Sequence, residues 1–231
     1  MVDFFLGSPL LGVAMTLVVY WLAQILYGRL KHVLFNPVAL SIATIILLLG
    51  WLEIPFESYR KGGDLILFLL GPAVVALAVP LYERREEIFR YRLPIAAGIC
   101  CGSVASILSA TLLAWACGGN RELVLSMAPK SVTAPIAIGI VESIGGIAPL
   151  AAAVVVLTGC LGAVIGPEFC RLVGIKDPLP MGIAMGTAAH GIGTARMMEE
   201  DSFAGALSGL AIGLNGLVTS GILSALFWIF G

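Results

Sequence analysis

Charge is scarce in this chain: Asp, Glu, Lys and Arg make up 12% of its 231 residues, about half the share found in ordinary soluble domains. So few charges cannot cover a water-facing surface. A basic stripe is also wanting, with 13 Lys and Arg against 14 Asp and Glu and a formal net charge of -1. Neutralising nucleic-acid phosphates requires clustered cations, so that class of partner is excluded. The chain has no GxSxG elbow, no HExxH, no GxxxxGKS and no paired carboxylates deep in an apolar block, so neither an enzyme nor an ATP-driven pump is expected. Cys100, Cys101, Cys117, Cys160 and Cys170 are the only cysteines, and none forms a CxxC pair or joins a metal-ligand cluster. They read as small apolar packing residues. No cofactor or metal is implied.

What the chain has is apolar material: 59% of residues are hydrophobic and the mean hydropathy is +1.04. It comes in blocks of about twenty, the length that crosses roughly 30 Å of hydrocarbon. The gaps place helices at about 9 to 28, 36 to 53, 63 to 82, 93 to 117, 122 to 141, 147 to 172, 180 to 196 and 203 to 229. None shows the period-two alternation of a barrel, so the expected fold is an all-α polytopic membrane protein with seven to eight segments. The first block has an acidic start and its positive charges follow it, the reverse of a secretory signal, so it is expected to remain as a spanning helix. Arg84, Arg85, Arg90 and Arg92 form the densest positive cluster and are expected to face the cytoplasm, which puts the N-terminus outside. An undivided chain without a transit peptide points to a bacterial plasma membrane.

Two blocks are interrupted. GPAVVALAVPLYE carries Pro72 and Pro80, and MAPKSVTAPIAIGIVESIGG carries Pro129 and Pro135. Each pair predicts a kinked or unwound hinge at membrane depth, tolerated only when buried in protein or lining a wet cavity. Matching interruptions in two halves are the mark of an inverted-repeat transporter, here a single transmembrane domain over 1–231 with halves of roughly 30–117 and 118–231. Kinked structural helices are the alternative.

Polar groups in these blocks are the candidate site. Lys130 stands between Pro129 and Ser131, and a lysine at a helix centre costs about 2.5 to 3.5 kcal/mol on insertion scales, so it should face a cavity or a partner. The half-helix beginning near Pro135 aims free N–H groups at the same gap, and Ser131 and Thr133 add hydroxyls. That combination suits a small carboxylate; capping within the helix is the alternative use of the hydroxyls. In MGTAAHGIGTAR, Thr187, His190 and Thr194 are spaced to share one helical face, with Gly191 and Gly193 permitting a break. His190 carries a proton or donates to a substrate, or else is a neutral donor to a neighbouring helix's carbonyl. Arg196 is either a substrate clamp or an anchor for Glu199, Glu200 and Asp201. Asn215 and Asn36 read as polar glue between helices, and the spacing of Gly98, Gly102, Ser106 and Ala110 as a packing stripe.

The strings NPVAL, GPAVVALAVPLYE, APKSVTAPIAIGIVESIGGI and MGTAAHGIGTARMME resemble the LrgB/CidB family over nearly the whole chain. That resemblance implies one of two roles. Some members are described as holin-like or antiholin-like regulators of murein hydrolase activity and autolysis, acting with a smaller LrgA/CidA-type membrane partner. Plastid relatives look like glycolate/glycerate translocators, and bacterial pairs are linked to pyruvate uptake. The residues favour a carboxylate transporter, because a lesion-forming protein has no need of a lysine in a broken helix. Its partners would be a small carboxylate, an LrgA/CidA-like protein, the bilayer and further copies of the chain.

Overall fold

The computed structural model describes residues 8–30, 37–69, 72, 75, 76 and 78–230. Every regular element among them is a helix. The chain forms two compact units, divided after Ala76.

The first unit holds α1 (Pro9–Leu30), α2 (Pro37–Trp51) and α3 (Phe56–Phe68). α1 and α3 cross at Gly12 and Gly62, where a Cβ on Gly12 would collide with the Tyr59 carbonyl. One turn on, the Thr16 hydroxyl meets the Tyr59 hydroxyl at 3.0 Å. α3 begins earlier than the expected block at 63 to 82 because its charges lie on an exposed face, with Arg60 near Glu57 and Asp64. The stretch from Pro72 to Pro80 lies partly outside the described residues. Pro72 is helical and exposed, while Pro80 stands third in the next helix, where its missing N–H costs nothing. Asn36 lies outside the described residues.

The second unit begins with two short helices, α4 (Ala78–Glu83) and α5 (Arg85–Arg90), and continues with α6 (Arg92–Ala116). The expected block at 122 to 141 is two helices, α7 (Arg121–Met127) and α8 (Ala134–Ile144), separated by turns. α9 (Ala148–Leu172), α10 (Pro178–Glu200) and α11 (Ser202–Phe230) complete the unit. Arg84 lies over the Phe203 ring at 4.4 Å, fixing the start of α11 beside α4.

Among the described residues four helices are long and apolar enough to cross a membrane: α1, α6, α9 and α11. α9 shows what solvent they need. One face, Ala151, Val155, Gly159, Ala163 and Pro167, is buried against protein. The opposite face exposes Leu157, Leu161, Ile165 and Phe169, each by more than half. Such a stripe is stable against lipid chains and not against water. α2, at 15 residues, is only about 22 Å long, and α7 and α8 are shorter still.

α10 packs between α9 and α11 through glycines. A Cβ on Gly162 would strike the Ala189 side chain, and one on Gly186 the Ser208 carbonyl. On another side Ile95 and Ile99 of α6 share a core with Ile183, Leu207 and Ala211.

Candidate functional site

The site is built where two helices are interrupted. The first interruption follows from Pro129 and Pro135. After Met127 the chain runs through turns to Thr133, whose extended backbone starts α8 with Pro135 in its first turn. Two tight-turn bonds hold the segment, from Lys130 N–H to the Met127 carbonyl and from Val132 N–H to the Pro129 carbonyl, both 3.2 Å.

The second interruption is inside α10, at His190, with φ 40° and ψ -138°. A positive φ is strained for a residue with a Cβ and persists only where the surroundings hold it. Here the imidazole does so: Nε2 donates to the Val155 carbonyl of α9 at 2.8 Å, and the ring lies where Gly159 leaves room.

Asn215 of α11, 1% exposed, serves both breaks. Its Nδ2 donates to the Ser131 carbonyl at 2.9 Å and to the Thr187 carbonyl at 3.2 Å. Its Oδ1 accepts from Ser103 at 2.6 Å and Thr219 at 3.2 Å. In an unbroken helix the Thr187 carbonyl would accept from the amide of Gly191, which lies beyond the kink. One carboxamide thus satisfies a carbonyl from each interrupted helix, as buried backbone demands.

Between α6, the first break and the leading half of α10 lies a cavity of about 640 Å³. Its wall is mainly apolar, including Ile95, Leu179 and Ile183, with Ser106, Ser109, Lys130, Ser131 and Thr187 as its side-chain polar groups. Lys130 Nζ donates to Ser106 Oγ at 3.2 Å and to Ser131 Oγ at 3.0 Å, and the two hydroxyls are 2.7 Å apart. Among the described residues no carboxylate lies within salt-bridge distance of Lys130; the ion pairs belong to other cations. The half-buried ammonium faces the cavity with two hydroxyls as its hydrogen-bond partners and has hydrogen-bonding capacity left over.

The structure brings together Lys130, Ser131 and Thr187 and separates the remaining candidates. Thr133 takes the N-cap position of α8 without a side-chain cap bond and does not line the cavity. Thr187, His190 and Thr194 do not share a face, because the kink turns the helix between them. Thr187 lines the cavity, His190 reaches α9, and Thr194 meets Ser208 of α11 at 2.7 Å. Gly191 adjoins the kink with open space around it, whereas a Cβ on Gly193 would crowd Ala189 and Met185. Arg196 does not line the cavity; it pairs with Glu168 at 3.4 Å, Glu199 at 3.7 Å and Glu200 at 2.8 Å, and Arg171 joins Glu200 from the end of α9. Ser106 and Ser109 were not among the residues expected at the site. Ser106 was legible only as a small residue in a packing stripe, and its i, i+3 partner Ser109 was the available signal of a polar face.

A family model described as the LrgB-like family matches residues 16–229. The chain belongs to the LrgB-like family. Two relatives from Bacillus subtilis (strain 168) match it over most of both chains. The uncharacterized protein YwbG is 36% identical over 205 residues, 89% of this chain and 91% of its own. The uncharacterized protein YxaC is 33% identical over 218 residues, 94% of this chain and 95% of its own. No solved structure matches. Of the strings that carried the family resemblance, APKSVTAPIAIGIVESIGGI spans the α7–α8 break and MGTAAHGIGTARMME lies in the kinked α10.

Proposed function

We propose that this LrgB-like protein moves a small monocarboxylate of the pyruvate, glycolate or glycerate class across a membrane by alternating access, binding it at Lys130. The observation that carries the reading is the ammonium of Lys130 at the wall of a 640 Å³ cavity, hydrogen-bonded to Ser106 and Ser131 and, among the described residues, to no acid. A lysine kept at a helix break without a counter-ion is costly in a bilayer, and a bound carboxylate supplies the missing charge. The reading assigns the chain no chemical reaction. The two interrupted helices act as the discontinuous helices of a repeat transporter, and the shorter helices complete the seven to eight segments. The membrane is a bacterial plasma membrane, with Arg84, Arg85, Arg90 and Arg92 inside and the N-terminus outside. An LrgA/CidA-like partner and self-association belong to the working assembly.

The test is uptake of labelled pyruvate, glycolate and glycerate into proteoliposomes, with and without an LrgA-like partner. Saturable uptake that falls at least tenfold in Lys130→Gln supports the proposal. Full flux in that variant removes the site assignment. No acid uptake, with leakage of large dyes instead, replaces the proposal with the lysis-regulator reading.

A further inference from the structure

Counting hydrogens at the cavity wall divides it into a donor pole and an acceptor pole. Lys130 has three N–H bonds, and two go to Ser106 and Ser131. Those hydroxyls have two hydrogens between them, and their 2.7 Å contact uses one. One ammonium hydrogen and one hydroxyl hydrogen therefore remain, a pair that matches the two oxygens of a carboxylate.

Thr187 is the reverse. Its Oγ1 donates its single hydrogen to the Ile183 carbonyl at 2.8 Å, so toward the cavity it offers lone pairs only. It is buried, at 6% exposure, and its methyl is held against α6, since a Cβ on Gly102 would come within 2.8 Å of Thr187 Cγ2. Gly102 precedes Ser106 by four residues, so the Thr187 side chain is seated about one helical turn of α6 from Ser106, roughly 5–6 Å between neighbouring Cβ positions. Two or three carbons bridge that distance. Ser109 also donates its hydrogen, to the Ser106 carbonyl at 3.1 Å, but it is exposed and lacks such a seat.

We infer that Thr187 is a specificity-determining residue that accepts a hydrogen bond from a donor group on the carboxylate's carbon chain, selecting hydroxy acids over the corresponding keto acids. A keto oxygen at that place would set one acceptor against another, with both deprived of water. A site built to pair a substrate hydroxyl discriminates strongly against an analogue lacking it, because its own polar group is left unpaired. The inference rests on the carboxylate-transport reading, and the experiment separates the two.

Half-saturation concentrations for lactate and pyruvate, which share a three-carbon skeleton, are measured in proteoliposomes for the wild type, Thr187→Val, Thr187→Ser and Ser109→Ala. Lactate is expected to be favoured about five- to tenfold in the wild type, the ratio one buried hydrogen bond provides. Thr187→Val keeps the shape and the methyl seat, and should bring the ratio to near one by weakening lactate and easing pyruvate, with an unchanged elution profile and unfolding midpoint showing that the variant is folded. Thr187→Ser restores the acceptor and should restore the preference, and Ser109→Ala should leave it unchanged. A ratio unaffected by Thr187→Val, or one that moves with Ser109→Ala instead, overturns the inference and leaves carboxylate transport standing. Absence of acid uptake by the wild type overturns both.

Discussion

Replacing Asn215 with leucine tests whether one side chain holds both interrupted helices. Leucine has nearly the same size, so at this 1% exposed position the change removes hydrogen bonds with little loss of volume. The carbonyls of Ser131 and Thr187 each lose the Nδ2 donor. Ser103 retains its bond to the Ile99 carbonyl at 2.7 Å and suffers less, while Thr219 loses the Oδ1 acceptor. An unsatisfied buried group costs about 1–3 kcal/mol in soluble proteins, and interhelical bonds in membranes average about 0.6 and reach about 1.7 kcal/mol. Two orphaned carbonyls and one weakened hydroxyl therefore amount to about 2–4 kcal/mol. For a chain of this size that lowers the midpoint of thermal unfolding by roughly 5–15 °C. The assay is unfolding of the detergent-solubilised protein followed by tryptophan fluorescence, with Thr219→Val as the single-bond control, expected to shift by only about 1–3 °C. A shift below about 2 °C for Asn215→Leu, or equal shifts for the two variants, would refute the cross-brace.

Other variants separate roles that the structure has parted. Arg196→Met, which removes three ion pairs from a side chain 13% exposed, should lower stability by about 1–3 kcal/mol without changing half-saturation for any acid; a selective loss of affinity would restore it as a clamp. Gly159→Ala places a methyl within 2.5 Å of His190 Cε1, so it should displace the imidazole from Val155 and lower the unfolding midpoint by several degrees; an unchanged melt would show that the ring is not seated there. Replacing His190 with glycine, which adopts this positive φ without a Cβ penalty, should preserve uptake at reduced stability, and loss of uptake with an unchanged melt would return a proton-carrying role to this position.

Much of the arrangement was readable from residue types. The α7–α8 break follows from two prolines flanking Lys130, because each removes a helical bond within six residues of the other. The pairing of Arg196 with Glu199 and Glu200 was readable from their i+3 and i+4 spacing, which a helix brings alongside. The kink in α10 was not readable at its true position: Gly191 was the natural residue for positive φ, yet His190 takes it because α9 offers a carbonyl and a glycine-sized seat. Spacing rules assume an unbroken helix, so the expected Thr187, His190 and Thr194 face failed with that kink. Asn215 was legible as polar glue. Its partners were not, since they lie 84 and 28 residues away in sequence and only the tertiary fold brings them together.

The lone ammonium of Lys130 has an electrical consequence. No acid among the described residues pairs with it, so on the proposed transport reading the empty site is a monocation, and occupancy by a monocarboxylate makes it neutral. A carrier of this kind moves no net charge when it reorients loaded, but its unloaded return carries one. Across an interior-negative membrane that return is opposed by up to about 2.3 kcal/mol for each 100 mV, so net uptake is throttled by voltage at the empty step. Exchange of one acid for another bypasses that step and proceeds indifferent to the potential.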